Sequence, residues 1–295
     1  MIYILGGNGY FGSRLCRRLN SHGFPIKILK LPEILKYEWN QKIKKDVVNY
    51  FNNSFKSIKP DDIFVNLFWD TRNDYRTSYE MNTRSREVVL VATQIFYEAN
   101  GSYSLQIGTC AEYGESNKKF VEDDFLQPLD HYGESKVQVL QELTRQYSLN
   151  NFGWMRPFFV YGEVQTRKNI VQQLVDAAIR GKHIFLHNPE RVIDLVHIRD
   201  VIVALEFIGT RRITGIYNIS SGKCVGLGQL QNFCGLLRHS ERPSDIDIKC
   251  RDMLPTDAGV CGDNSKMRSL GWLPSVSLAS GLQEMMASGN EDRNG

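Results

Sequence analysis

The sequence predicts an α/β protein: a doubly wound parallel sheet followed by a smaller C-terminal α/β part. Three observations carry this. A short apolar segment, Ile2 to Leu5, runs into a glycine-rich turn and then a helix-like stretch. Strand-like and helix-like segments alternate through the first half of the chain, the pattern of a parallel sheet wrapped by helices. Beyond Gly162 the alternation loosens, and no internal repeat suggests a solenoid instead.

Taken in order, Ile2 to Leu5 reads as a buried strand. Ser13 to His22 reads as a helix with Leu15 and Leu19 on one face, stopped by Gly23. Ile26 to Leu31 is the second strand, with Asp62 to Phe68 and Ser104 to Gly108 as further ones. Between these two, Glu87 to Ala99 is mostly apolar and helix-like. Trp154 to Val160 is a strand ending in Tyr161–Gly162. The polar stretch from Glu163 to Lys168 leads into a helix from Ile170 to Ile179, and Ile193 to His197 and Ile216 to Ile219 are strand-like. The division expected is residues 1–162 for a dinucleotide, 163–287 mostly for substrate with some segments returning to the first part, and a disordered polar tail over 288–295.

Composition narrows the function. The 295 residues carry 36 basic and 33 acidic side chains, a net charge of +3. So small an excess, without a long basic block, argues against nucleic acid. The six scattered cysteines contain no CxxC pair, so no zinc site is expected. His183 and His187, four apart, lack a third ligand and read as structural. No apolar run approaches the ~20 residues of a membrane span, and no signal-type start is visible. The setting expected is the reducing cytoplasm, with the cysteines as free thiols.

The chemistry starts at Gly6-Gly7-Asn8-Gly9-Tyr10-Phe11-Gly12, directly after a strand and opening a helix. One glycine permits the tight turn, one lets a pyrophosphate approach the backbone, and one lets the helix pack on the sheet. The helix N-terminus offers N–H groups and a positive dipole to phosphate. The fold expected is therefore Rossmann-like. Seven residues after Gly23 stands Lys30, where an acidic residue would accept from the adenosine ribose. A lysine suits a 2′-phosphate, which favours NADP(H) and leaves NAD(H) open, with Glu33 nearby as a substitute.

Tyr132 and Lys136 lie four apart, on one helix face. A tyrosine beside an ammonium loses some of its pKa of about 10 and can exchange a proton with an oxygen on carbon. Thr109, at a strand end where ligands gather in such sheets, offers a hydroxyl to the same oxygen.

The spacing Gly6/Gly9/Gly12, Asn82 before an apolar helix, Thr109 to Gly114 (TCAEYG), the Tyr132–Lys136 pair, Arg156 to Gly162 (RPFFVYG), Arg191 to Asp200 (RVIDLVHIRD), Tyr217-Asn218 and Leu270 to Pro274 (LGWLP) occur in one order. Together they resemble the extended branch of the short-chain dehydrogenase/reductase superfamily, the nucleotide-sugar epimerases, dehydratases and reductases. The resemblance implies Thr109, Tyr132 and Lys136 as catalytic residues. It implies Gly6, Gly9, Tyr10, Phe11, Gly12, Lys30, Tyr132 and Lys136 at the cofactor, Asn82 and Arg191 at the substrate, with Arg191 on the diphosphate. A nucleotide-diphosphate sugar is the implied substrate and a homodimer the implied assembly.

Departures from the pattern matter. The 4,6-dehydratases resemble Thr-Asp-Glu where this chain has Thr109-Cys110-Ala111, which disfavours dehydration. Glu112 stands where valine is usual. Cys110 lies three residues before Tyr113, not two, and reads as a packed residue; His197 reads as a packed strand residue. The expected reaction is reduction of a nucleotide-linked 4-keto-6-deoxy sugar by NADPH, with Tyr132 as proton donor. Epimerisation with tightly bound NAD is the alternative, and a non-enzymatic nucleotide-binding regulator the remote one.

Overall fold

The first strand, β1 (Ile2–Leu5), is buried along its whole length, as an apolar strand covered on both faces must be. It belongs to a computed structural model that describes residues 1–31, 39–72, 74–163, 169–239, 248, 250 and 258–291. The chain divides into two compact units. The first comprises Met1–Gly114, Phe125–Arg156 and Ala204–Tyr217, the second Glu115–Asp124, Pro157–Val203 and Asn218–Gly295.

The elements of the first unit follow the alternation. α1 (Tyr10–Ser21) and β2 (Ile26–Leu29) follow β1, then α2 (Gln41–Ser54), β3 (Ile63–Asn66), α3 (Tyr79–Glu98), β4 (Tyr103–Ile107), a 3-10 turn over Cys110–Glu112, α4 (His131–Gln146) and β5 (Phe152–Pro157). A six-stranded sheet runs in the order β2-β1-β3-β4-β5-β8, with β8 at Gly215–Ile219. β1 pairs in parallel with β2 (Ile2 opposite Ile26) and β3 (Ile2 opposite Ile63), and β4 with β3 and β5. Strand order reverses at β1, so the ends of β1 and β3 flank a crevice of the kind in which such sheets bind ligands. One cluster of the core gathers Tyr3, Phe51, Phe55, Phe64 and Phe96, the Phe55 ring lying 5.6 Å from Tyr3, Phe64 and Phe96. A second gathers Val89, Leu140, Leu143, Phe152 and Trp154.

The second unit holds β6 (Phe159–Tyr161), α5 (Ile170–Ile179), β7 (Val192–His197), β9 (Cys224–Gly226), α7 (Leu227–His239), β10 (Gly259–Val260), α8 (Ser265–Ser269) and α9 (Leu278–Glu291). α6 (Ile198–Thr210) crosses the division at Ala204. β7 pairs in parallel with β10 and β6 and antiparallel with β9. Leu174, Val175, Ile193, Leu195, Leu230 and Phe233 are among the residues of its apolar core. Asp194, buried in β7, accepts from Ser221 N–H and Oγ and from the Gly222 and Gly262 N–H groups, at 2.7–3.3 Å.

Several expectations need correction. α1 starts three residues early, because Gly9 itself serves as N-cap. α3 starts at Tyr79, since Ser78 caps it by accepting from Met81 N–H; Asn82 therefore sits inside the helix rather than before it. The expected strand Trp154–Val160 is two strands, β5 and β6, separated at Phe158. β2 ends at Leu29, leaving Lys30 as the first residue beyond it. The tail from Ser288 to Glu291 is helical as part of α9, while residues 292–295 and Glu33 lie outside the described residues. Cys224 and Cys261 form a disulfide instead of free thiols, whereas Cys16, Cys110, Cys234 and Cys250 are free. α2 was not anticipated; Asn40 caps it by accepting from Ile43 N–H.

Candidate active site

The glycine turn shows why each glycine stands where it does. Gly6 has φ +82°, a left-handed conformation that suits glycine. A Cβ on Gly12 would lie 2.1 Å from the Gly6 carbonyl oxygen, so the helix closes directly on the turn. At Gly9 φ is an ordinary −77°, and a Cβ would meet only the Gly6 oxygen, at 3.3 Å. A side chain at Gly9 would press on that oxygen, and no side chain hydrogen-bonds as a cap at the N-terminus of α1. An open backbone cradle at a helix N-terminus fits a dinucleotide pyrophosphate. Tyr10 and Phe11 form the first turn of α1, and Arg14 lies over the Tyr10 ring at 4.3 Å. Lys30 is exposed just past β2.

At the end of β4, Thr109 caps the 3-10 turn by accepting from Ala111 N–H at 3.2 Å. Glu112 reaches back to accept from Thr109 N–H at 2.8 Å, a capping box. The same carboxylate, fully buried, accepts from Trp154 Nε1 at 3.2 Å and pairs with Arg156 Nε at 2.6 Å. Arg156, 1% exposed, also donates to the Tyr113 hydroxyl at 2.7 Å. The residue that departs from the usual valine is therefore a buried anchor for Thr109.

α4 carries the tyrosine and lysine. Asp130 caps it by accepting from Gly133 N–H at 2.8 Å and pairs with Arg76. Tyr132 N–H donates to the Arg76 carbonyl at 3.2 Å. The Thr109 side chain lies beside the Tyr132 phenol. Burial holds the phenol well above its ordinary pKa and Tyr75 pushes the same way, opposed by Thr109. Tyr132 is thus a neutral proton donor at neutral pH. Lys136 is 2% exposed and donates to the Ile107 carbonyl at 2.7 Å. Burial pushes its ammonium down to about 7, and the Glu112 charge pulls it back up.

Thr109, Tyr132 and Lys136 accordingly come together. Asn82 is completely buried and its amide is spent on the protein: Oδ1 accepts from Trp69 Nε1 at 2.8 Å, and Nδ2 donates to the Tyr75 and Ser78 carbonyls. Trp69 and Tyr75, which the sequence reading missed, flank Tyr132 edge-on at 5.9 and 5.0 Å. Their signal was an aromatic residue just past a strand end, in NLFWD. Next to Trp69, Asp70 is pinned by Arg72 and Arg84.

In the second unit, Arg191 pairs with Glu115 at 2.8 Å, and its Nε is buried without a partner among the described residues. Ile193, in β7, is a core residue. Arg191 stands two residues upstream, before β7 begins. His197 is buried in β7 against Tyr161, the rings 5.1 Å apart, and burial lowers its pKa. Among the described residues no group of His, Cys, Asp or Glu is placed to hold a metal, and no helix is long and apolar enough to cross a membrane.

Known proteins share this fold. A protein of Methanocaldococcus jannaschii provisionally named UDP-glucose 4-epimerase is 23% identical over 97% of both chains. The UDP-glucose 4-epimerase of Thermotoga maritima, solved with UDP-glucose, superposes with a TM-score of 0.74 at 19% identity over 99% of each chain. MoeE5, solved with UDP-glucose and NAD, superposes with a TM-score of 0.77 at 18% identity over 100% of this chain and 99% of its own. The model of the NAD dependent epimerase/dehydratase family matches residues 2–220. The chain belongs to the NAD dependent epimerase/dehydratase family and is an enzyme of that type.

Proposed function

We propose that the protein epimerises a nucleotide-diphosphate sugar by reversible oxidation of one ring carbinol, with NAD as the retained hydride carrier. The observation that carries this is the gathering of Thr109 beside Tyr132, with Lys136 one helical turn on and its Nζ 5.9 Å from the Tyr132 ring. A bound nicotinamide would accept hydride from the sugar carbon and return it. With the cofactor bound, the Tyr132 phenolate would take the hydroxyl proton on oxidation, and the neutral phenol would give it back on reduction, while Thr109 orients the same oxygen. Lys136 would support that phenolate before oxidation and after reduction. Dehydration needs a free carboxylate beside Thr109. The one carboxylate of that turn, Glu112, is clamped by Arg156, Trp154 and the Thr109 N–H.

Residues of the Gly6–Gly12 turn hold the pyrophosphate, and Arg191 is proposed to hold the substrate diphosphate. A guanidinium suits phosphate oxygens, and the Arg191 Nε, without a partner among the described residues, supports that role.

Net reduction of a 4-keto-6-deoxy sugar by NADPH is the second reading, favoured by the exposed Lys30 just past β2. A screen of UDP-, dTDP-, GDP- and CDP-sugars and their 4-keto derivatives separates the two. Product formed without net consumption of added NAD(P)H supports epimerisation, and stoichiometric oxidation of NADPH supports reduction. Silence with every sugar rejects both.

A further inference from the structure

Lys136 sits in a setting that its own helix does not create. Its Nζ lies 3.9 Å from the centroid of the Trp69 ring. The indole N–H of the same residue is fixed on Asn82 Oδ1 at 2.8 Å, and its ring meets Tyr132 edge-on. Trp69 is thereby tied to α3 through Asn82 and leans on both functional groups of α4. An ammonium over an indole face is attracted by the ring quadrupole, most strongly where water is excluded. With one N–H on the Ile107 carbonyl and the ring face on another side, a third donor direction of Lys136 remains for a ligand.

We propose that Trp69 is a positioning residue for Lys136, holding its ammonium charged and aimed by a cation–π contact braced by Asn82. The inference rests on Lys136 being the catalytic lysine. The other charged and titratable groups around the pair are Glu112 from the 3-10 turn, itself bound to Arg156 of β5, and Tyr132 from α4. Tyr75, Cys110 and Arg76 lie around the Tyr132 phenol.

The contact has a signature that needs no substrate or cofactor. A cation–π contact stabilises only the charged lysine. Lys136 loses its proton near pH 7 in the folded protein, so it is mostly charged at pH 6 and mostly neutral at pH 9. Losing the ring must therefore cost more stability at pH 6 than at pH 9. A merely packed tryptophan would cost the same at both.

Thermal melts of the ligand-free protein at pH 6 and pH 9 test this. W69L is expected to lose roughly 2–3 °C more in Tm at pH 6 than at pH 9. In the K136M background the same substitution should cost equally at both pH values. W69F keeps a ring face and loses the N–H, so its loss should be smaller and nearly independent of pH. Should W69L not fold, tryptophan fluorinated on its benzene ring and incorporated throughout gives the same comparison, with K136M as its control. Equal losses for W69L at pH 6 and pH 9, or a pH difference that survives in K136M, overturn the inference. Full turnover in K136M would instead end the reading of Lys136 as catalytic, so the two failures are distinguishable.

Discussion

Gly9 and Gly12 lie three residues apart yet should fail differently when replaced. Gly9 has an ordinary φ and one tight Cβ contact, 3.3 Å to the Gly6 oxygen, so Gly9→Val should fold after a slight backbone shift and lose dinucleotide binding. Gly12→Ala would drive a methyl to 2.1 Å from the Gly6 oxygen and should lower Tm. Titration of NAD alongside a melt checks both, and unchanged affinity in Gly9→Val would remove the turn from the cofactor site. Tyr132→Phe should leave NAD affinity nearly intact and cut turnover by about 100-fold or more, the usual scale for a lost general acid; near-normal turnover would take Tyr132 out of the chemistry. Glu112→Val installs the residue usual in the family, but here it takes the carboxylate from Arg156, 1% exposed. Removing one partner of a buried ion pair costs about 3–5 kcal/mol, readable as a fall in the urea midpoint. A fall under about 1 kcal/mol would show that Arg156 finds another partner. At this scale the sequence was legible where chemistry demands a residue type, as at Thr109, Tyr132 and Lys136. It was silent where the role comes from tertiary neighbours. Nothing in the spacing of Glu112, Trp154 and Arg156 announces that they meet, and nothing in Asn82 shows that Trp69 and two carbonyls consume its amide.

Elements were legible in proportion to their apolar periodicity. α5 (Ile170–Ile179) matches its expected limits, because its buried face is continuous. α3 was seen only in its apolar second half. Its first turns, Tyr79 to Arg86, are largely polar, and the polar side chains of Asn82, Arg84 and Ser85 are buried nonetheless. A buried polar face has no signature in hydrophobic patterning. β7 was legible as a strand, but not the task of Asp194 inside it. Its two oxygens gather four donors, while burial raises its pKa to about 6. It therefore remains mainly ionised at neutral pH. Asp194→Asn would turn an NH2 toward N–H donors and leave them unsatisfied, at about 1–3 kcal/mol. A Tm equal to that of the unmodified protein would mean that the turn at 220–222 does not depend on this carboxylate. Because its folded pKa is raised, the stability Asp194 contributes falls as pH rises from about 4 to about 6.

For the molecule as a whole, the alternation of strands and helices sufficed for the fold class. Which segments belong to which unit, Glu115–Asp124 to the second and Ala204–Tyr217 to the first, was not legible, since long-range pairing sets it. Cofactor choice also belongs to this scale, because the +3 net charge is too small to impose it and a local cation must. If Lys30 meets a 2′-phosphate, NADPH should bind about 10-fold or more tighter than NADH, from a charge-assisted hydrogen bond of roughly 1–3 kcal/mol, and Lys30→Asp should erase or reverse the preference. Equal affinities in competition titrations at moderate salt would make Lys30 a surface residue and leave epimerisation with NAD as the stronger reading.

The chain has four tryptophans. Trp154 and Trp272 are 1% and 2% exposed in packed surroundings, and Trp39 is engaged with Glu87 away from Tyr132 and Lys136. Trp69 alone among them touches Tyr132 and Lys136. Its emission is thus a built-in optical reporter of what enters beside that pair, with W69F as the matched blank, so occupancy can be followed in real time without a label and before any substrate is known.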